Sequence, residues 1–460
     1  MATHSNISQA ATMPATDAGQ AAFYGRNAIV PMPIIERAEG IWFFDDTGRG
    51  YIDVSSGPVL SNIGHGNAHV ISKMAEQAQQ LDYVFARLAQ NQVNIDYSIR
   101  LCEAAGPGFD YASLASGGSE AMENAIKFLR QHAIATGHPA KRHIITCQPS
   151  YHGATIAMLG INGDIMMAPF VDGFSSQSHK VPAPLNYRVP DGFDADSYAA
   201  HCAQALDDVI VDLGAETVLA FVIEPIGGLS TGCVVPPASY IKAVRDICTA
   251  HGVHLVFDEI LCGAGRTGQF LAAHAWPDAL PDIVTMAKGL GSGYSPLGAM
   301  LAPARLVDEL ADLTGFEFQY SYNANPISCA VGNAVLDEFA RLDLLTNTRA
   351  RSDQLSLGLE AIKANNPIIG DIRGKGLLLA VELVADRQTK KPFANELRPT
   401  DRVRIHGLNN GLLIYSRPTS GGKYGHWFLV SPPLTVTDAE CVEILSRLET
   451  TLQDLAEELG

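Results

Sequence analysis

The chain has 460 residues, of which 47% are hydrophobic and 18% charged, and its formal net charge is −17. This length provides for a large core plus a lesser one in an ordinary globular composition, and the acidity argues against nucleic acid as a partner, because phosphate backbones are held by clustered Lys and Arg. The eight cysteines show no Cys-x-x-Cys spacing, which argues against zinc or a disulfide framework and for a reducing, cytoplasmic setting, and no apolar run reaches the roughly 18 residues of a membrane span.

Residues 1–21, rich in Ala, Ser, Thr and Gln, read as a mobile arm with neither the apolar core of a signal peptide nor the early Arg of a transit peptide. The stretch from Gly40 to Asp53 reads as two short strands around an Asp-Thr-Gly turn. A helix follows over Ala68 to Leu81. From Ser116 to about Pro303 strands and helices alternate: helix Glu120 to Ala135, strand His143 to Gln148, strand Val218 to Glu224, helix Ala238 to His251, strand His254 to Asp258, strand Ile283 to Ala287. Such alternation predicts an α/β fold with a mostly parallel sheet covered on both faces, and chemistry at the carboxyl ends of its strands. A long helical stretch, Ile327 to about Ala364, leads into strands around Gly376 to Leu383 and His426 to Val430. One or two closing helices span Val436 to Leu459. We expect an N-terminal segment, 22–75, packing on a small C-terminal α+β domain, 336–460, with a large domain over 76–335.

Four places carry chemistry. Ser116-Gly-Gly-Ser119 opens a helix and is either an ordinary N-cap or an anion site built from backbone N–H groups and a hydroxyl. Tyr151 follows a strand and is either a rim tyrosine or a ring-stacking aromatic. The strand Leu255-Val-Phe-Asp258-Glu259 ends in two carboxylates. One of them could sit opposite a pyridinium nitrogen, and either could hold the loop that follows, with Arg266 as partner. Lys288 stands at a strand tip before Gly289-Leu-Gly-Ser-Gly293, a placement that suits a surface cap or a Schiff-base lysine.

In this order and at these spacings, the chain resembles the class III aminotransferases (the omega-amino acid or ornithine type) of fold type I, from about Ala38 to Leu448. The resemblance is strongest in Ser116–Lys127, Tyr151-His-Gly153, Val256–Gly268 and Ala287–Gly298. It implies pyridoxal 5′-phosphate (PLP) as cofactor, a seven-stranded large domain and a homodimer with shared active sites, alone or paired into a tetramer. By the same resemblance, Lys288 forms the aldimine and moves the proton, and Asp258 pairs with the pyridine nitrogen. Tyr151 and Ile260 cover the two ring faces, Gly118 and Ser119 hold the phosphate, His152 borders the ring, and Glu224 supports its hydrogen bonds. Ser321 stands where relatives place a threonine that binds the neighbouring subunit's phosphate.

The departures from the family pattern concern the substrate. Glu224-Pro-Ile-Gly lacks the Gln-Gly-Glu that many relatives using gamma-amino acids carry. Tyr415 replaces an arginine that binds the keto acid in many omega-amine transaminases. Arg417 is the candidate for that carboxylate, with Lys423 as rival, and Val59 and Phe85 are candidates for an apolar substrate wall. The expected reaction is ping-pong transfer from an amine or omega-amino acid to pyruvate or 2-oxoglutarate. Decarboxylating transamination of the dialkylglycine type and semialdehyde amino migration are supported by the same motifs. A protein that keeps PLP without turnover would show a colour that no amine discharges. A nicotinamide enzyme would need a Gly-x-Gly-x-x-Gly opening a first βα unit, which is lacking.

Overall fold

The structure is a computed structural model that describes residue 30 and residues 32–228 and 230–459. The expected mobile arm, 1–21, lies outside the described residues. The central sheet has seven strands in the order Tyr111–Ala115, Gly298–Ala302, Ile283–Met286, His254–Asp258, Val218–Ile223, His143–Gln148, His179–Pro182. The last five run parallel to one another, and Gly298–Ala302 is antiparallel to both of its neighbours.

Every residue of Val218–Ile223 is buried. Val218, Phe221 and Ile223 face one core, and Leu219, Ala220 and Val222 face the other. A strand covered on both faces must be apolar throughout, which is why this one reads as an unbroken apolar run. Its neighbours divide in the same way: Leu255 and Phe257 join the first core and Val256 the second.

The smaller C-terminal unit has a four-stranded sheet ordered Ile369–Lys375, Leu378–Leu383, His426–Val430, Ser416–Arg417, closed by the helix Asp438–Leu459. The expected N-terminal hairpin is present as Trp42–Asp45 and Gly50–Asp53, preceded by a third strand, Ile35–Glu39. Asp45 Oδ1 sets its turn by accepting from Thr47 N and Arg49 N at 3.0 and 2.9 Å. This hairpin pairs in parallel with Leu412–Leu413, so the chain's amino-terminal strands share a sheet with a late segment.

The expected single stretch after residue 327 is two helices, Pro326–Arg341 and Leu344–Asn365. Between them Asp343 takes φ +45°, a left-handed turn that no α-helix continues through. A domain boundary after residue 335 would fall inside the first of these helices. We propose instead that the large and small units divide at Leu342–Asp343.

Candidate active site

Four adjacent parallel strands deliver side chains to one cavity of about 320 Å³. His143–Gln148 leads to Tyr151 and His152, Val218–Ile223 is followed by Glu224, His254–Asp258 ends on Asp258 itself, and Ile283–Met286 is followed by Lys288. All of these residues line the cavity, together with Gly118, Ser119 and Ile260.

The floor depends on two glycines. The helix Gly118–Ala135 starts here, and a Cβ on Gly118 would stand 2.9 Å from Ile260 Cγ2. Gly153 has φ +139°, and a Cβ there would stand 2.6 Å from Ser119 Oγ, which accepts from Ala154 N at 3.0 Å. Gly117 and Gly118 thus put backbone without side chains on the cavity wall at this helix start, an arrangement suited to a phosphate.

Asp258 is 4% exposed. Its Oδ2 lies 2.9 Å from His152 Nδ1, and its Oδ1 accepts from Ile260 N at 3.1 Å. The buried Nε2 of His152 has no partner among the described residues. Glu224 accepts from Tyr151 N at 3.0 Å, Gly228 N at 2.9 Å and Ser230 Oγ at 2.6 Å. Burial lifts its carboxyl above the ordinary range, and the nearby His152 opposes the rise.

Glu259, one residue beyond Asp258, accepts from Ala272 N at 2.6 Å and Ala273 N at 2.7 Å, and burial pushes it up to about 7. One carboxylate of the pair thus lines the cavity, and the other ties down the start of the short helical turn Ala272–Ala275, beyond the glycine loop 263–268 that it was expected to hold. Arg266 partners neither of them, contrary to the expectation. Its guanidinium is fully buried and donates to Asn62 Oδ1, Ser56 Oγ and the carbonyls of Leu377, Ser431 and Pro432.

Lys288 takes φ +45° at the turn after its strand. Burial draws its ammonium down to about 8, and the carboxylates of Asp258 and Glu224 oppose the fall. A lysine with this pKa presents a substantial neutral fraction near pH 7.5, as a nucleophile or proton carrier requires.

The family model for class III aminotransferases matches residues 23–452. The chain belongs to the class III aminotransferases. It is 34% identical to a probable aminotransferase of Mycobacterium tuberculosis, over 94% of this chain and 92% of that one. It is 31% identical to a taurine–pyruvate aminotransferase of Bilophila wadsworthia, over 93% of each chain. The solved structure of an amine transaminase from an uncultivated Pseudomonas species, in its PLP-bound form, superposes with a TM-score of 0.87 at 31% identity, covering 99% of this chain and 100% of that one.

The cofactor of this aminotransferase is accordingly PLP, and the residues present fit it. The helix start at Gly117 and Gly118 would suit a phosphate, the buried Asp258 carboxylate would suit a ring nitrogen, and the unpartnered Nε2 of His152 is a buried polar atom at the same wall.

The remaining sequence candidates fall in different places. Arg417 lines the cavity, lies 5.4 Å from the centroid of the Tyr151 ring, and donates to Asp164 Oδ2 at 2.8 Å. Val59 does not line it: with φ +60° and 1% exposure its side chain joins the core, and its neighbours Pro58 and Leu60 reach the cavity instead. Phe85 and Ser321 are also absent from this chain's cavity wall. Ser321 is exposed, and its carbonyl accepts from Tyr83 Oη at 3.0 Å. Lys423 is exposed beside the Tyr424 ring, outside the cavity.

Sequence reasoning missed the apolar lining of Leu60, Ile226, Leu261 and Leu297. Isolated apolar residues carry no signal that separates a cavity wall from the core. It also missed Asp164, 253 positions from the arginine it holds.

Proposed function

We propose that the chain transfers an amino group from an amine or omega-amino acid to a keto acid, pyruvate or 2-oxoglutarate, by ping-pong exchange. The observation that carries this reading is the convergence of Gly118, Ser119, Tyr151, Asp258 and Lys288 on one cavity. PLP, when bound, supplies a carbonyl that condenses with amines and a ring that takes up the electron pair left by a broken C–H bond. Asp258 would meet the ring nitrogen with a carboxylate, which favours the protonated, electron-poor ring. The helix start at Gly118 and Ser119 would hold the phosphate, and Tyr151 and Ile260 would cover the ring faces. Lys288, held near neutrality by burial, would take the proton from the amine-bearing carbon and return it two atoms along, on the far side of the nitrogen. Arg417 receives the carboxylate of the keto acid, and Leu60, Leu261 and Leu297 exclude water around the donor.

A homodimer belongs to the same reading. Ser321 and Phe85 lie outside their own chain's cavity, on a surface where Tyr322 is 66% and Leu88 84% exposed. Exposed apolar groups of this kind favour burial against a second subunit. In such a dimer Ser321 donates to the phosphate held by the partner.

The test is a donor panel that includes taurine, omega-amino acids and simple amines, assayed with pyruvate and with 2-oxoglutarate. Parallel double-reciprocal lines and strict dependence on a keto acid are expected. Carbon dioxide release from a 2,2-dialkylglycine, or turnover without any keto acid, would replace this reading with decarboxylation or intramolecular migration.

A further inference from the structure

At Arg417, which lines the cavity, two segments distant in sequence meet through one carboxylate. Asp164 is 5% exposed, and a carboxylate so buried must be satisfied by donors. Its Oδ1 accepts from Met166 N at 3.0 Å, Ser420 N at 3.1 Å and Ser420 Oγ at 3.3 Å. Its Oδ2 accepts from Arg417 Nη2 at 2.8 Å.

The placement of Asp164 is set from below by the turn that carries Tyr151 and His152. Asn162 Oδ1 accepts from His152 N at 2.5 Å, and Asn162 Nδ2 donates to the Gly153 carbonyl at 2.9 Å. Gly163 N donates to the Ser150 carbonyl at 3.0 Å. A Cβ on Gly163 would lie 2.2 Å from the Cys147 carbonyl oxygen, so this chain segment lies directly on the end of the strand. Arg417 arrives from the opposite side, on the strand Ser416–Arg417 that pairs with Trp427 in the small unit's sheet. Its guanidinium lies beside the Tyr151 ring. Asp164 takes one of its three nitrogens, and Nε and Nη1 have no partner among the described residues.

A guanidinium carries five N–H donors in a rigid fork, so one carboxylate can fix it without exhausting it. A long side chain that is already pinned has lost its rotamer freedom on folding and loses little more when a ligand binds. We propose that Asp164 is a positioning residue for the acceptor half-reaction. It holds Arg417 against the Tyr151 ring from one side, so that the remaining donors of the fork stand ready for the carboxylate of the incoming keto acid. The proposal rests on the reading of Arg417 as the acceptor's carboxylate site.

Asp164→Asn separates the two jobs of the side chain. Its single oxygen can keep the Met166 and Ser420 donors, and its amide N–H groups then face Arg417, donor against donor. Asp164→Ala keeps neither contact. Wild type, both variants, Arg417→Ala and the double variant Asp164→Asn/Arg417→Ala would each be loaded with pyridoxamine 5′-phosphate. Each would then be mixed with pyruvate or with acetaldehyde, which is pyruvate without its carboxylate. The concentration dependence of the return of PLP absorbance gives an apparent Kd for each acceptor, and melting temperatures are measured alongside.

In Asp164→Asn the apparent Kd for pyruvate should rise about tenfold relative to that for acetaldehyde, the size expected for one charge-assisted hydrogen bond. Asp164→Ala should give the same ratio at a lower melting temperature. In the Arg417→Ala background the Asn substitution should not move the ratio further. If Arg417→Ala shifts the ratio and neither Asp164 variant does, the positioning role is overturned and the Arg417 reading survives. If Arg417→Ala affects both acceptors alike, the Arg417 reading falls and Asp164's role falls with it. Equal losses for both acceptors in the Asp164 variants would mean a purely structural part and would also overturn the proposal.

Discussion

Lys288 shows how burial and charge are balanced at one residue. Burial removes the ammonium from water and lowers its pKa to about 8, while Asp258 and Glu224 limit the fall. Only the neutral amine reacts with 1-fluoro-2,4-dinitrobenzene, which does not itself titrate. In cofactor-free protein, the initial rate of dinitrophenylation of Lys288, read by mass spectrometry, should rise about tenfold per pH unit below about 8 and level off above it. Exposed lysines should keep rising towards about 10.4, and a Lys288 profile matching theirs would remove the electrostatic account. Asp258→Asn removes the charge opposite the ring and leaves the shape of the wall. It should lower kcat by about a hundredfold or more while PLP still binds; a kcat near wild type would contradict the pairing. The place of Lys288 and Asp258 on one cavity wall was legible in the sequence because each stands at or just past a strand's carboxyl end and is followed by a loop whose composition announces itself. Val59 was not, because a strained turn chooses which of three neighbouring residues faces inward, and composition does not record that choice. Asp164 was not, because its partner is remote in the chain.

The helix Gly118–Ala135 shows the same division at the scale of an element. Its existence follows from sequence pattern, and its start follows from the glycines. What the pattern does not give is that Ile260 of another strand end closes over Gly118. Gly118→Ala should therefore lower the unfolding free energy of the cofactor-free protein by about 1–3 kcal/mol, the usual cost of overpacking. The double variant Gly118→Ala/Ile260→Ala should lose clearly less than the two single losses added. If the losses simply add, the contact is not the cause. The seven-stranded sheet was partly legible: the strands His143–Gln148, Val218–Ile223 and His254–Asp258 read correctly to within a residue, the last two because their apolar runs are continuous. The edge strand His179–Pro182, half polar and four residues long, carried no such run. The break at Asp343 was hidden because both flanking helices share helical periodicity and only a backbone turn separates them.

Across the whole molecule, Arg266 joins three regions: the N-terminal segment through Ser56 and Asn62, its own large-domain loop, and the small unit through Leu377, Ser431 and Pro432. Removing it strands several buried acceptors, each worth about 1–3 kcal/mol. Arg266→Met should accordingly lower the unfolding free energy by about 3 kcal/mol or more in urea titration, and a loss within experimental error would show that the buried cross-link is replaceable. The dimer reading predicts a sedimenting mass of twice the 49.1 kDa chain. These long-range ties are invisible to local pattern, whereas the order of motifs along the chain is visible, and that is why the chemistry was legible before the assembly. Amino transfer through Lys288 is tested by mixing PLP-loaded wild type and Lys288→Ala with an accepted amine donor and following the visible absorbance of the bound cofactor. Rapid exchange is expected in wild type and none on the same timescale in Lys288→Ala. Exchange at the wild-type rate in Lys288→Ala would contradict that role of the lysine.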